Sequence, residues 1–200
     1  MYIADQYHHL IRKITSATSV ISSIAGTGTA GYSGDGGAAT AAAITYPSGI
    51  NLDSAWNVYF TDGYYIRKIA VSTGEISTVA GTGSAGYNGD NMQATSATLN
   101  YPHDVVLDSY NNLYIADRFN YRIRKVDVST GVITTIVGNG TASSTGDGSA
   151  ATSATIKGPC YSRFDSAGNY YISECEGDRV RKVVTVTTEI PTTAPSTTPR

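Results

Sequence analysis

Charge of either sign is scarce in this chain of 200 residues. Asp, Glu, Lys and Arg make up 15% of it, and the formal net charge is -2. A chain so balanced sets up no general basic field, which excludes nucleic-acid or acidic-membrane binding driven by net charge. Long apolar runs are missing as well: nothing approaches the roughly eighteen residues a membrane helix needs. The opening MYIADQYHHL lacks the basic start and apolar stretch of a secretory signal. With 3 histidines and 2 cysteines, the chain has neither a disulfide framework nor a metal cluster.

Glycine (21) and tyrosine (15) are abundant instead, and their placement is periodic. GTGTAGYSGDGGAATAAAITYP begins at Gly26, GTGSAGYNGDNMQATSATLNYP at Gly81 and GNGTASSTGDGSAATSATIKGP at Gly138, offsets of 55 and 57 residues. Between these loops the chain repeats YIADQYHHLIRKI, YFTDGYYIRKI, YIADRFNYRIRKV and YISECEGDRVRKV, starting at Tyr2, Tyr59, Tyr114 and Tyr171. In the second unit the pattern predicts four short strands, A to D, at about Ser48–Asp53, Asn57–Asp62, Ile66–Val71 and Glu75–Ala80. The A–B turn reads Asp-Ser-x-x-Asn, with its fourth position (Trp56, Asn111 or Gly168) expected in the left-handed region. The C–D turn puts a glycine where a tight hairpin wants one. Four-stranded antiparallel units at this spacing, with no helical periodicity between them, predict stacked propeller blades.

The stretch from Pro102 to Val126, P-x-x-V-x-L-D-x-x-x-N-L-Y-I-A-D-x-x-N-x-R-I-R-K-V, resembles the NHL repeat. The long AGTGTAGYSGDGGAAT linker is similar to the variety of that family found in secreted and bacterial proteins and in teneurin-like receptors. The resemblance implies an all-β propeller. Residues 1–186 would supply about three and three-quarter blades, part of a ring that in this family usually has six. A fragment of a longer protein is the expectation; an open arc, a dimeric ring or a small closed ring are the alternatives. A propeller hosts many activities, so the fold alone names none.

In a meander of this kind the D–A loops and the B–C loops share one face of the ring. Loops on a rigid scaffold are where binding usually resides. This face collects Tyr64, Tyr65, Phe119 and Tyr121 with Arg118, and His103 and Asp104 open one strand A near the channel mouth. Aromatic and arginine side chains are the usual anchors of interfaces. The expected function is therefore a non-catalytic scaffold that recognises a protein, peptide or glycan through its loop face. No cofactor and no metal are expected, and a homodimer follows only if the chain is complete. The alternative is a metal-dependent lyase or lactonase-like hydrolase with its site in the channel. The family's peptide-amidating lyases use a channel zinc, but His8, His9 and His103 do not form a matching set.

Asp35, Asp90 and Asp147 are placed to cap a single helical turn in each long loop; as calcium ligands they are too few. The Arg-Lys pairs of strand C alternate with isoleucine or valine, which favours stems packed between blades with ion-paired heads over an RNA-binding face. Cys160 and Cys175 fall opposite each other across the last A–B hairpin, so a disulfide is expected, with two free thiols as the alternative. Asn139 opens an Asn-Gly-Thr sequon. The Thr/Pro/Ser-rich residues 187–200 read as a disordered tail or stalk. Tail, sequon and disulfide together imply an extracellular or cell-surface setting.

Overall fold

The computed structural model describes residues 1–184; the expected tail, and the degenerate last strand, lie outside the described residues. Strands β1 (Tyr2–Asp5), β2 (Leu10–Ile14) and β3 (Ile21–Ala25) form the first sheet. The second holds β4 (Ile50–Leu52), β5 (Val58–Asp62), β6 (Tyr65–Ala70) and β7 (Glu75–Ala80) in that order. After the two-residue β8 (Met92–Gln93), the third sheet holds β9 (Pro102–Leu107), β10 (Leu113–Asp117), β11 (Arg122–Val126) and β12 (Val132–Val137). The fourth holds β13 (Pro159–Phe164), β14 (Tyr170–Glu174) and β15 (Arg179–Val183). Every pairing is antiparallel between strands adjacent in sequence, apart from β8 on β12. These are propeller blades.

Stacking the blades makes the core. Strand β5 is buried along its whole length because both its faces are covered. Val58 and Phe60 pack into a cluster with Ile11, Ala25 and Ile44 toward the first sheet, while Tyr59 packs with Val105, Leu113 and Ile115 toward the third. A third cluster joins Ala116 and Ile123 to Tyr170 and Ile172. The A–B turns take the expected form: Trp56, Asn111 and Gly168 have φ of 66, 65 and 79°. In each turn one aspartate (Asp53, Asp108, Asp165) accepts backbone N–H groups and holds the Asn four residues on.

Two expectations change. Strand A of the second blade is shorter than Ser48–Asp53, because the backbone N–H groups of Ser48 and Gly49 both donate to the Thr61 hydroxyl (3.1 and 3.0 Å) instead of to a ladder carbonyl. The loop aspartates do not cap helices. The short 3-10 turns Ala39–Ala41 and Ala94–Ser96 exist, but no side chain caps them. Asp35, Asp90 and Asp147 instead reach arginines on strand C of the next blade: Arg67 at 2.7 Å, Arg124 at 3.0 Å and Arg181. Each arginine also faces the carboxylate that ends strand B of its own blade: Asp62 at 2.9 Å, Asp117 at 3.6 Å and Glu174 at 3.0 Å. The paired lysines lie on the opposite side of strand C, over Tyr2, Tyr59, Tyr114 and Tyr171.

The repeated loop is thus a clasp. Gly36 and Ile76, Ile76 and Gly37, and Ala39 and Gly74 exchange backbone hydrogen bonds of 2.8–3.0 Å along the outer edge of β7. The clasp covers that edge with a strand-like segment from the blade before it. Uncovered, the edge would be a site for adventitious strand pairing.

Cys160 and Cys175 form a disulfide across the start of the fourth blade, with Cα atoms 5.9 Å apart. Closing a loop of this size limits the unfolded chain, so the double variant Cys160→Ser/Cys175→Ser is expected to lose about 3 kcal/mol. Urea unfolding followed by circular dichroism measures it. Equal midpoints for the variant and the oxidised parent would show that the bridge contributes nothing.

Candidate functional site

A cleft of about 490 Å³ opens on the loop face where the first three blades meet. Tyr64, Tyr65, Arg118, Phe119 and His103, all expected at the face, line it together. Two expected residues do not. Tyr121 ends the β10–β11 connection in the left-handed region (φ 53°) and is absent from the lining. Asp104 is buried, its Oδ2 accepting from Ser162 N at 3.0 Å and Arg163 Nη1 at 2.7 Å, with Oδ1 left without a partner among the described residues. Neighbouring residues on a strand point to opposite faces, so His103 enters the cleft while Asp104 turns between the inner strands.

The cleft also contains residues that pattern reading missed, chiefly Tyr46 and Tyr101. Both precede a proline, and both have positive φ, 46 and 51°. A residue before proline normally takes an extended conformation, and a left-handed non-glycine residue costs roughly 1–2 kcal/mol. The third loop shows what the backbone prefers there: the equivalent position is Gly158, with φ 57°. At the other two positions the same backbone carries a tyrosine ring. Tyr46 and Tyr101 are 47% and 50% exposed. Tyr101 meets Tyr64 and Phe119 edge-on, with ring centroids 5.2 and 5.6 Å apart, and Tyr46 meets His9 at 4.7 Å. The Tyr, Tyr, Gly alternation was the available signal.

Below this rim the floor is tied down. Tyr32 and Tyr65 stack at 4.0 Å, with the Arg67 guanidinium 4.7 Å from the Tyr32 ring. Asp62 accepts from Thr45 N and from Arg67, yet burial lifts its pKa to about 6. Two carboxylates, Asp62 and Asp35, share one arginine, which leaves an excess negative charge for burial to act on. Burial of the Tyr65 ring raises the pKa of its phenol.

His103 is held below its ordinary pKa by burial first and by Arg118 second, so it is neutral at pH 7. Its Nδ1 faces the Cys160 carbonyl at 3.2 Å; a carbonyl only accepts, so Nδ1 carries the proton and Nε2 is left as an acceptor. The disulfide therefore anchors the residue that orients the imidazole. Arg118 pairs with Glu176 at 3.1 Å and lies over the Phe119 ring at 5.1 Å. Asn139 is exposed on the third long loop, its Oδ1 accepting from Thr141 N at 2.9 Å. Among the described residues no cluster of His, Cys, Asp and Glu could hold a metal ion, and no helix is long and apolar enough to cross a membrane.

Residues 2–87 match the family model of the Teneurin NHL domain, and residues 99–126 match that of the NHL repeat. Together the two segments contain the whole lining of the cleft. Teneurin-4 of Mus musculus is 37% identical over 90 residues, which is 42% of this chain and 3% of that protein. Teneurin-1 of Gallus gallus is 36% identical over 92 residues, 43% of this chain and 3% of that protein. A solved structure of a protein of unknown function from Bacteroides thetaiotaomicron superposes with a TM-score of 0.72 at 23% identity, covering 90% of this chain and 43% of that one. The chain spans a small part of the curated relatives it matches and under half of that structure.

Proposed function

We propose that this chain, an NHL-repeat β-propeller of the long-loop variety, works as a non-catalytic binding module that takes a protein, peptide or glycan in its loop-face cleft. The observation that carries the reading is the left-handed tyrosine before proline. Strain held at a surface position that the third repeat relieves with Gly158 is strain kept for recognition. The rim of part-exposed rings around a floor braced by Arg67 supplies rigid anchors of the kind that dominate binding energy. The disulfide and the exposed Asn139 sequon support an extracellular or cell-surface setting.

The channel-enzyme alternative gains nothing from the polar pair at the channel mouth. His103 and Asp104 face different surroundings, and Asp104 is committed to Arg163 and the Ser162 backbone. The test uses immobilised protein screened against panels of short peptides and oligosaccharides, with each binder retested on single variants. Phe119→Ala and Tyr64→Ala are expected to weaken binding about tenfold or more, while Tyr121→Ala, outside the lining, leaves it unchanged. Binders indifferent to both cleft variants would place recognition elsewhere.

A further inference from the structure

The charge and hydrogen-bonding state of the cleft narrows its ligand, given the binding reading above. Its lining carries only two charged side chains, Asp62 and Arg118. Asp62 is 1% exposed and held by Arg67, and Arg118 is engaged by Glu176. Asp62 is closed to a charged ligand, since drawing a buried charge away leaves its partner unpaired. Arg118 and Glu176 are part-exposed, with side chains 28% and 30% accessible, and already neutralise each other, so they present no net charge.

Backbone recognition is closed off too. An extended peptide that adds to a sheet needs a row of free backbone donors and acceptors. Here the N–H groups of Ser48 and Gly49 are used by Thr61, those of Thr45 and Tyr46 by Asp62 and His9, and Pro102 has none. The groups still open are of another kind. The hydroxyls of Tyr46, Tyr64 and Tyr101, the Gln6 amide and His103 Nε2 have no hydrogen-bond partner among the described residues. Hydroxyls and a carboxamide both donate and accept. They sit beside flat apolar ring faces, and the lining offers little else.

Flat rings flanked by groups that donate and accept, with every charge already paired, match a pyranose, whose C–H face is apolar and whose rim is hydroxyl. We infer that the cleft is a subsite for an uncharged saccharide, whose sugar faces rest on the rim tyrosines and whose hydroxyls meet Gln6 and His103 Nε2. This rests on the binding reading, and the test separates the two.

Isotope-labelled full chain is titrated with cellohexaose, maltohexaose and chitohexaose, with a galacturonate hexamer as the anionic counterpart, and with a Tyr/Pro-rich hexapeptide. At least one neutral hexasaccharide is expected to shift the backbone amides of residues 45, 46, 48, 49, 63–65, 101, 103 and 118–119. Tyr101→Gly, whose backbone suits the glycine that the third loop already uses, is expected to weaken that binding about tenfold while keeping the dispersed spectrum of the parent. Cleft shifts from the peptide or the galacturonate alone overturn the neutral-saccharide assignment and leave the binding reading standing. Absence of cleft shifts at about 10 mM of all three neutral sugars overturns the assignment as well. Saccharide binding that maps to another surface overturns both readings.

Discussion

Arg124→Met is expected to lower stability by about 3–5 kcal/mol, and by more at pH 8 than at pH 4. Arg124 is fully buried between Asp90 of the long loop and Asp117 at the end of β10, and its Nη2 also donates to the Gly89 carbonyl at 2.7 Å. Methionine fills the volume of the stem but leaves Asp117, itself fully buried, with no cation. The loop would lose the ion pair of Asp90 with the third blade. Burial already raises Asp117 from 3.8 to about 6 with the arginine present. A raised folded pKa means that the native state binds the proton more tightly than the unfolded chain does. The stability this brings is complete below pH 3.8 and is lost as pH rises through about 6. Without Arg124 the folded pKa climbs further, so the gap between variant and parent widens from pH 4 to pH 8. Urea midpoints by circular dichroism at the two pH values measure the gap. Arg12→Met is the internal control: the Arg12 and Asp5 side chains of the first blade are 34% and 23% exposed, so screening by water limits the loss. A deficit for Arg124→Met that is the same at both pH values would show that Asp117 is not the group left unpaired.

The same contact shows where the sequence was legible and where it was not. Period, strand alternation and turn chemistry are local, so the blades and the φ values of Trp56 and Gly74 could be read directly from residues that are neighbours in the chain. The partner of Asp35 is Arg67, on the next blade, whereas the Ala and Thr residues just after Asp35 imitate a capped helical start. A local rule therefore assigned the aspartate to the wrong partner, and only stacking of the blades reveals the clasp. Tyr46 and Tyr101 were hidden by a sound generalisation, since a residue before proline reads as extended. The third copy, with Gly158, broke the disguise only once the left-handed φ was seen. Tyr64, Tyr65, Arg118 and Phe119 were legible because loop position follows from topology. Tyr121 lies outside the lining of the cleft, because topology gives the face and not the direction of each side chain. The arginine stems were expected between blades, and there the structure agrees; it goes further in burying the guanidinium groups of Arg67 and Arg124 as well.

Gly49→Ala is expected to be strongly destabilising through steric conflict alone. Gly49 lies where the inner strands of the second and third blades come closest. A Cβ added there would stand 2.5 Å from Asp104 Cα and 2.9 Å from both Asp104 Oδ1 and the His103 carbonyl. Two of these three atoms are backbone, so no side-chain rotation relieves the clash and the strands must part. Parting them pulls on the Ser48 hydroxyl, which donates to the His103 carbonyl at 2.8 Å, and through it on the imidazole that faces the cleft. Overpacking of this kind costs about 1–3 kcal/mol or more, which for a chain of this size lowers the melting temperature by roughly 2–12 °C. Gly74→Ala separates steric from conformational effects. Its φ is +74° but nothing lies within 4 Å of the added carbon, so it bears only the left-handed cost of about 1 kcal/mol. Thermal unfolding should therefore rank Gly49→Ala below Gly74→Ala, and only Gly49→Ala should move the His103 imidazole resonances. If the two variants melt together and His103 stays put, the inner strands have room that the geometry denies, and the cleft is not held at its width by that contact.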